Sequence, residues 1–74
     1  MSKLPLVDAK TFEKLLISLG FEVKKKGSHV FYRHPDGRYT TLPHHKGRKI
    51  GRSLIRSILR QIELTPEQYI NMLS

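Results

Sequence analysis

The chain has 74 residues, a formal net charge of +8 and no cysteine. A chain of this length has room for one small core, and the lack of cysteine excludes disulfide staples and thiolate metal sites. No apolar run approaches the roughly 20 residues of a membrane span, and the N-terminal stretch lacks the apolar core of a signal peptide. We therefore expect one domain over residues 1–74, located in the cytoplasm and with no membrane partner.

Basic residues are in large excess. Lysine and arginine number 14 against 6 acidic residues, which gives a sequence pI of about 10.2. An excess of this size is typical of proteins that bind nucleic acid, and its clustering along the chain favours that interpretation over a charge that serves solubility alone.

The first predicted element is an amphipathic helix over residues 9–19. Asp8 is suited to cap its N-terminus, and Gly20 to end it in the left-handed conformation. The apolar positions, which recur at helical spacing, are Phe12, Leu15, Leu16 and Leu19. The polar positions, which we expect to face solvent, are Lys10, Glu13, Lys14 and Ser18.

Three strands follow, because the period changes to two. They are predicted over residues 21–26, 29–34 and 38–42, with a tight turn at Pro35-Asp36-Gly37. In the second strand, Val30 and Tyr32 point to one face. The opposite face then carries His29, Phe31 and Arg33.

A second amphipathic helix is predicted over residues 52–62, with either Gly51 or Ser53 as its cap. Its apolar positions are Leu54, Ile55, Ile58, Leu59 and Ile62, and another side carries Arg52, Arg56 and Arg60. A short last helix begins with a capping box at Thr65-Pro66-Glu67-Gln68.

These elements predict an α+β fold. The order helix, three antiparallel strands, helix is that of double-stranded-RNA-binding domains, with a short C-terminal helix added. Both main helices are expected on one face of the sheet, since their apolar stripes then share a core and the other face stays open.

All four histidines lie between Gly27 and Gly47. Cleavage of RNA by internal transesterification needs a base, an acid and positive charge at the phosphorus, and histidine can serve as base or acid near neutral pH. From the residues alone, His29 is either such a group or a solvated strand histidine. Arg33 on the same face either binds phosphate or pairs with Glu22 across the strands.

A metal site is not expected. The chain has no cysteine, no His-x-x-x-His on a helix, and Asp36 as the sole carboxylate among the histidines. We expect no cofactor, and cleavage that survives EDTA.

Several motifs, in order, resemble the HicA family of toxins. They are Leu19-Gly20-Phe21, Gly27-Ser28-His29, Arg33-His34-Pro35-Asp36-Gly37-Arg38, Pro43-His44-His45-Lys46-Gly47 and Arg56-Ser57-Ile58-Leu59-Arg60-Gln61. The family often has Gly-Thr-Leu where this chain has Ser53-Leu54-Ile55. The resemblance implies the toxin of a type II toxin–antitoxin pair, an endoribonuclease that cleaves mRNA and is neutralised by a HicB-type antitoxin. It also implies that one histidine, His29 by position, is catalytic.

The predicted site therefore has His29 as the catalytic residue. The residues expected to bind RNA are Lys26, Ser28, Arg33, Arg38, His45, Lys46 and Arg56. His34 is expected to be structural, His44 a bystander, and His45 either a helper or a residue that holds its loop. Tyr32 and Tyr39 either stack on bases or pack.

Alternatives remain open. The three arginines of the second helix contact RNA, an acidic antitoxin surface or only solvent. The protein as a whole is an enzyme, a non-catalytic double-stranded-RNA-binding module or a DNA-binding module that uses the second helix.

Overall fold

The computed structural model describes residues 4–27, 29–44 and 47–73. The elements, in chain order, are α1 (Ala9–Ser18), β1 (Glu22–Lys26), β2 (His29–Arg33), β3 (Tyr39–Thr41), α2 (Arg52–Gln61) and α3 (Pro66–Met72). This order confirms the predicted α+β class, and the predicted ends agree to within two residues wherever both were stated.

The three strands form an antiparallel meander in the order β1-β2-β3. Tyr32 lies directly opposite Val23 on one side and Thr40 on the other. Tyr32 and Thr40 are buried, whereas His29 and Arg33, on alternate positions of β2, are exposed. The prediction of one packed and one open sheet face is therefore confirmed.

The core lies between the packed face of the sheet and the helices. Its buried apolar side chains are Leu4, Ala9, Phe12, Leu15, Leu16, Phe21, Tyr32, Leu42, Ile50, Ile55, Ile58, Leu59, Ile62 and Tyr69. Thr40 is the buried polar residue of β3, and its hydroxyl donates to Gln61 Oε1 of α2 at 2.6 Å. This bond fixes α2 against the sheet.

The helix ends follow their local sequences. Asp8 accepts from the Thr11 backbone N–H at 2.8 Å, and Gly20 has a φ of +98°, as the sequence predicted. Thr65 and Gln68 form the reciprocal capping box of α3. Gly51 is the N-cap of α2 and offers no side chain to it, which decides between the two caps that the sequence left open.

The segment before α1 is tied to the rest of the fold, which the sequence did not predict. Leu4 is buried, and the Val7 carbonyl accepts from the Ile50 N–H at 2.8 Å. The Pro5 carbonyl accepts from the Tyr69 hydroxyl at 2.6 Å. These bonds hold residues 4–7 against both α3 and the segment that leads into α2.

Two predictions about helix faces are wrong. Leu54, expected in the apolar stripe of α2, is 41% exposed, because it lies about 100° around the helix from Ile55 and falls at the edge of the stripe. Glu13, expected in solvent, is half-buried because it accepts a hydrogen bond from the inward-pointing Tyr32 at 2.6 Å.

Candidate nucleic-acid interface

His29 begins β2, two residues after a glycine in the left-handed conformation. Gly27 has a φ of +62°, a region that side-chain-bearing residues rarely adopt. His29 is exposed and lies directly opposite Lys26 of β1. Since opposite residues of paired strands share a face, the imidazole and the ammonium group stand side by side on the open side of the sheet.

The register defines the rest of this surface, which we call the open face. It consists of Glu22, Lys24, Lys26, His29, Phe31, Arg33, Tyr39 and Thr41. Lys25, by contrast, is opposite Val30 and belongs to the helix side. The open face thus carries three cations and one carboxylate among the residues that the structure describes.

Arg33 is at the other end of β2 from His29. The two residues are four positions apart, or about 13 Å at the usual rise of a strand. Arg33 is opposite Glu22 in the register, yet within residues 4–27, 29–44 and 47–73 no ion pair joins them. His29 and Arg33 share the face that the sequence predicted, but they are too far apart to contact one phosphate together.

A groove of about 330 Å³ opens beside His29. Its lining residues are His29, Val30, Phe31, Thr41, Leu42, Pro43, His44 and Leu54. Leu54, which the sequence predicted in the buried stripe of α2, is exposed and lines this groove. It therefore adds apolar surface next to the histidine.

His34 has a structural role, as predicted. Its Nε2 lies 3.1 Å from the Leu19 carbonyl oxygen and its Nδ1 2.9 Å from Asp36 Oδ1. The ring also stands edge-on to Phe21, with centroids 5.0 Å apart. These contacts join the hairpin turn to the end of α1, away from His29.

Arg38 is engaged within the protein. Its Nε donates to Asp36 Oδ2 at 2.8 Å, its Nη1 donates to the Ile62 carbonyl at 2.6 Å, and its guanidinium lies 5.3 Å from the Phe21 ring centroid. The backbone N–H and then the side chain of Arg38 lower the pKa of Asp36. The structure does not bring Arg38, predicted as an RNA-binding residue, together with His29.

Sequence reasoning missed a network behind the open face. Tyr32 is completely buried, donates its hydroxyl proton to Glu13 Oε2 at 2.6 Å, and lies 2.7 Å from His44 Nε2. Because the phenol has one proton and gives it to the carboxylate, His44 must donate through Nε2. Burial, followed by the Glu13 bond and charge, raises the pKa of Tyr32.

His44 therefore has a structural role in this network, which the sequence did not predict. The signal was present in the alternation of β2: a tyrosine on an inward-pointing strand position needs a partner for its hydroxyl. Which partners it finds depends on how α1 and the segment after β3 pack.

Two of the three arginines of α2 border a different groove. Arg52 Nε donates to the Leu4 carbonyl at 3.4 Å. Arg56 and Arg60 line a groove whose other residues are Leu4, Leu59, Leu64 and Pro66. None of these six residues lines the groove beside His29, so Arg56 is not brought together with the histidine.

Three predicted site residues, Ser28, His45 and Lys46, lie outside the described residues. Within the part of the chain that the structure describes, no three histidine or carboxylate side chains are arranged to hold a metal ion. No helix in that part is long and apolar enough to cross a membrane.

The geometry defines a small α+β protein with a basic sheet face that bears one exposed histidine. A family model described as "HicA toxin of bacterial toxin-antitoxin" matches residues 9–64, from the first residue of α1 to beyond the end of α2. The chain belongs to this HicA toxin family. No curated protein matches the sequence.

Proposed function

We propose that this HicA-family toxin is a metal-independent endoribonuclease that cleaves mRNA and thereby halts translation and growth. The observation that carries the proposal is the pairing of His29 with Lys26, directly opposite each other on the open face. An exposed imidazole opposite an exposed ammonium group on the same sheet face offers a proton-transfer group and a positive charge to one phosphate.

The reaction is internal transesterification. The 2′-oxygen attacks the adjacent phosphorus and loses its proton, the bond from phosphorus to the 5′-oxygen breaks, and that oxygen gains a proton. The products are a 2′,3′-cyclic phosphate and a 5′-hydroxyl. A neutral imidazole at His29 can take the first proton, and a protonated one can give the second.

The cations have separate tasks in this mechanism. Lys26 is the cation nearest to His29 in the register and stabilises the charge that develops on the phosphorane. Arg33, about 13 Å along the strand, binds a flanking phosphate instead. We also assign contacts with the RNA backbone to Ser28, His45 and Lys46, which the sequence predicted as RNA-binding residues.

The same surface offers a way for an antitoxin to neutralise the toxin. We assign to this toxin a HicB-type antitoxin as its partner and the cytoplasm as its place of action. An acidic protein that covers the open face excludes RNA from His29 and is attracted by the cations there.

Induced expression in a bacterial host tests the proposal. Expression of the wild type is expected to stop growth and degrade mRNA, and His29→Ala to abolish both while keeping the wild-type circular-dichroism spectrum. Lys14→Ala, at an exposed position of α1, is the control and should remain toxic. Full toxicity of a folded His29→Ala protein would refute the role of His29.

One observation favours a second candidate function. His29 is the sole histidine on the open face among the described residues, so one imidazole would have to carry out both proton transfers of the cleavage. A non-catalytic double-stranded-RNA-binding module would need only the cations. It predicts salt-dependent binding of duplex RNA without strand scission at any protein concentration.

A further inference from the structure

The open face carries a row of three rings, of which the catalytic proposal uses only His29. The His29 and Phe31 ring centroids are 6.1 Å apart with an interplanar angle of 32°. Phe31 and Tyr39 follow at 6.0 Å and 25°. The row runs from the start of β2 diagonally across to β3, on the face opposite α1 and α2.

These rings are not explained by core packing. Tyr39 is 49% exposed and Phe31 is half-buried, whereas Tyr32, on the other face of the same strand, is fully buried. An aromatic side chain left on an open sheet face loses the burial that normally justifies its size, so a cluster of them indicates a binding surface.

Each ring of the row has a cation directly across from it. In the strand register, His29 is opposite Lys26 and Phe31 is opposite Lys24. Tyr39 is opposite Arg33. Alternation of aromatic rings with cations is the pattern by which proteins bind single-stranded nucleic acid, since bases stack on the rings and phosphates contact the cations.

We propose that the open face binds unpaired RNA, with bases stacked on Phe31 and Tyr39 and phosphates held by Lys24, Lys26 and Arg33. This rests on the proposed function in that the bound strand is the substrate of His29. In a duplex the bases already stack on one another and offer no free face to a protein ring, so the substrate class is single-stranded RNA or a loop.

The groove beside His29 continues this surface. Its apolar wall includes Phe31, Pro43 and Leu54, and its volume of about 330 Å³ falls at the lower end of the range of small-ligand pockets. We assign this groove as the binding site of the base next to the cleaved phosphate.

Binding to an RNA that cannot be cleaved tests the proposal independently of catalysis. The probe is a fluorescein-labelled, 2′-O-methylated RNA of about 12 nucleotides, a length within the usual site size of single-strand binders, followed by fluorescence anisotropy. The same strand annealed to its complement and a strand of abasic residues are the comparison ligands. Methylation removes the attacking 2′-hydroxyl, so the RNA cannot be cleaved and the anisotropy reports binding alone. A loss of stacking is thereby distinguished from a loss of cleavage.

Alanine at either ring is expected to weaken single-strand binding. From the usual contribution of one base stack, Tyr39→Ala and Phe31→Ala should each lower the affinity roughly 5- to 150-fold, with little change for the duplex. Tyr39→Phe and Phe31→Tyr keep the ring and should bind as the wild type does. Tyr39→Leu keeps an apolar side chain but no ring, and should resemble Tyr39→Ala.

Three outcomes would overturn the proposal. The first is equal affinity of the wild type for the single strand, the duplex and the abasic strand. The second is unchanged single-strand affinity in folded Tyr39→Ala and Tyr39→Leu. The third is a wild-type dimer that Tyr39→Ala converts to a monomer without loss of RNA affinity, because the open face would then be an interface between two copies of the chain.

Discussion

The Tyr32 hydroxyl lies 2.7 Å from His44 Nε2 and connects the core of the protein to the segment after β3. The same hydroxyl donates to Glu13 on α1 at 2.6 Å. One phenol oxygen thus ties together the first helix, the central strand and the stretch that leads into His45 and Lys46. The network supports the edge of the candidate site from behind.

Removal of that hydroxyl should destabilise the protein. In Tyr32→Phe the half-buried Glu13 carboxylate and the His44 imidazole both lose a partner, and we expect the free energy of unfolding to fall by about 1–2 kcal/mol. Urea denaturation measures this change. Tyr39→Phe removes an exposed hydroxyl and is the matched control, with an expected change within about 0.5 kcal/mol. An equal fall in the free energy of unfolding in the two variants would contradict a stabilising role of the Tyr32 hydroxyl.

Two neighbouring lysines of β1 should differ in their effect on RNA binding. Lys26 is on the open face opposite His29, whereas Lys25 is opposite Val30 on the helix side. Lys26→Gln should lower the affinity for RNA and reduce the slope of log K against log salt by roughly 0.7–0.9. Lys25→Gln removes the same charge and should leave the slope unchanged. Titrations at several salt concentrations compare the two, and identical slopes would count against the assigned face.

Arg38 should matter more for stability than for RNA binding. Its guanidinium group bonds to Asp36 and to the Ile62 carbonyl and lies over the Phe21 ring, so the side chain is engaged within the protein. We expect Arg38→Ala to lower the thermal midpoint by several degrees, because it leaves the Ile62 carbonyl without this donor. RNA affinity, measured well below the midpoint, should change less than in Arg33→Ala. A larger loss of affinity in Arg38→Ala would restore its predicted place in the RNA site.

Stability should fall in acid, and Asp36 should contribute to the fall. The Arg38 backbone and side chain lower the pKa of Asp36 in the folded protein below its ordinary value of 3.8. A carboxyl with a depressed folded pKa stabilises the fold above its unfolded pKa, and this contribution disappears as the pH falls through the folded pKa.

Asp36→Asn isolates this contribution, because an asparagine oxygen can still accept from the Arg38 N–H. Urea midpoints between about pH 2 and pH 5 should depend less steeply on pH in the variant than in the wild type. Parallel curves would show that Asp36 does not titrate differently in the folded and unfolded states.

Local sequence patterns were sufficient for the secondary structure. Apolar spacing and capping residues predicted α1 and α3 because those signals act within a few residues of the chain, as at Asp8 and Thr65. Strand alternation also put His29 and Arg33 on one face, since the side-chain period of a strand is independent of what packs against it.

Contacts between distant segments could not be read from such patterns. The bond from Tyr32 to Glu13 spans 19 positions and that from Tyr32 to His44 spans 12, so both depend on the packing of whole elements. The same holds for Arg38, whose motif suggested RNA but whose position beside Ile62 is set by the docking of α2. The aromatic row is an intermediate case, because alternation placed Phe31 but only the register of β3 brought Tyr39 beside it.

Cleavage of a defined single-stranded RNA by the purified protein, with EDTA present, tests the central claim most directly. We predict that the wild type cuts the RNA at the same rate with and without EDTA and leaves 2′,3′-cyclic phosphate ends. Folded His29→Ala should be slower by at least about 100-fold, the lower end of what a general acid or base contributes. Cleavage by His29→Ala at the wild-type rate, or loss of wild-type cleavage on adding EDTA, would contradict metal-independent catalysis by His29.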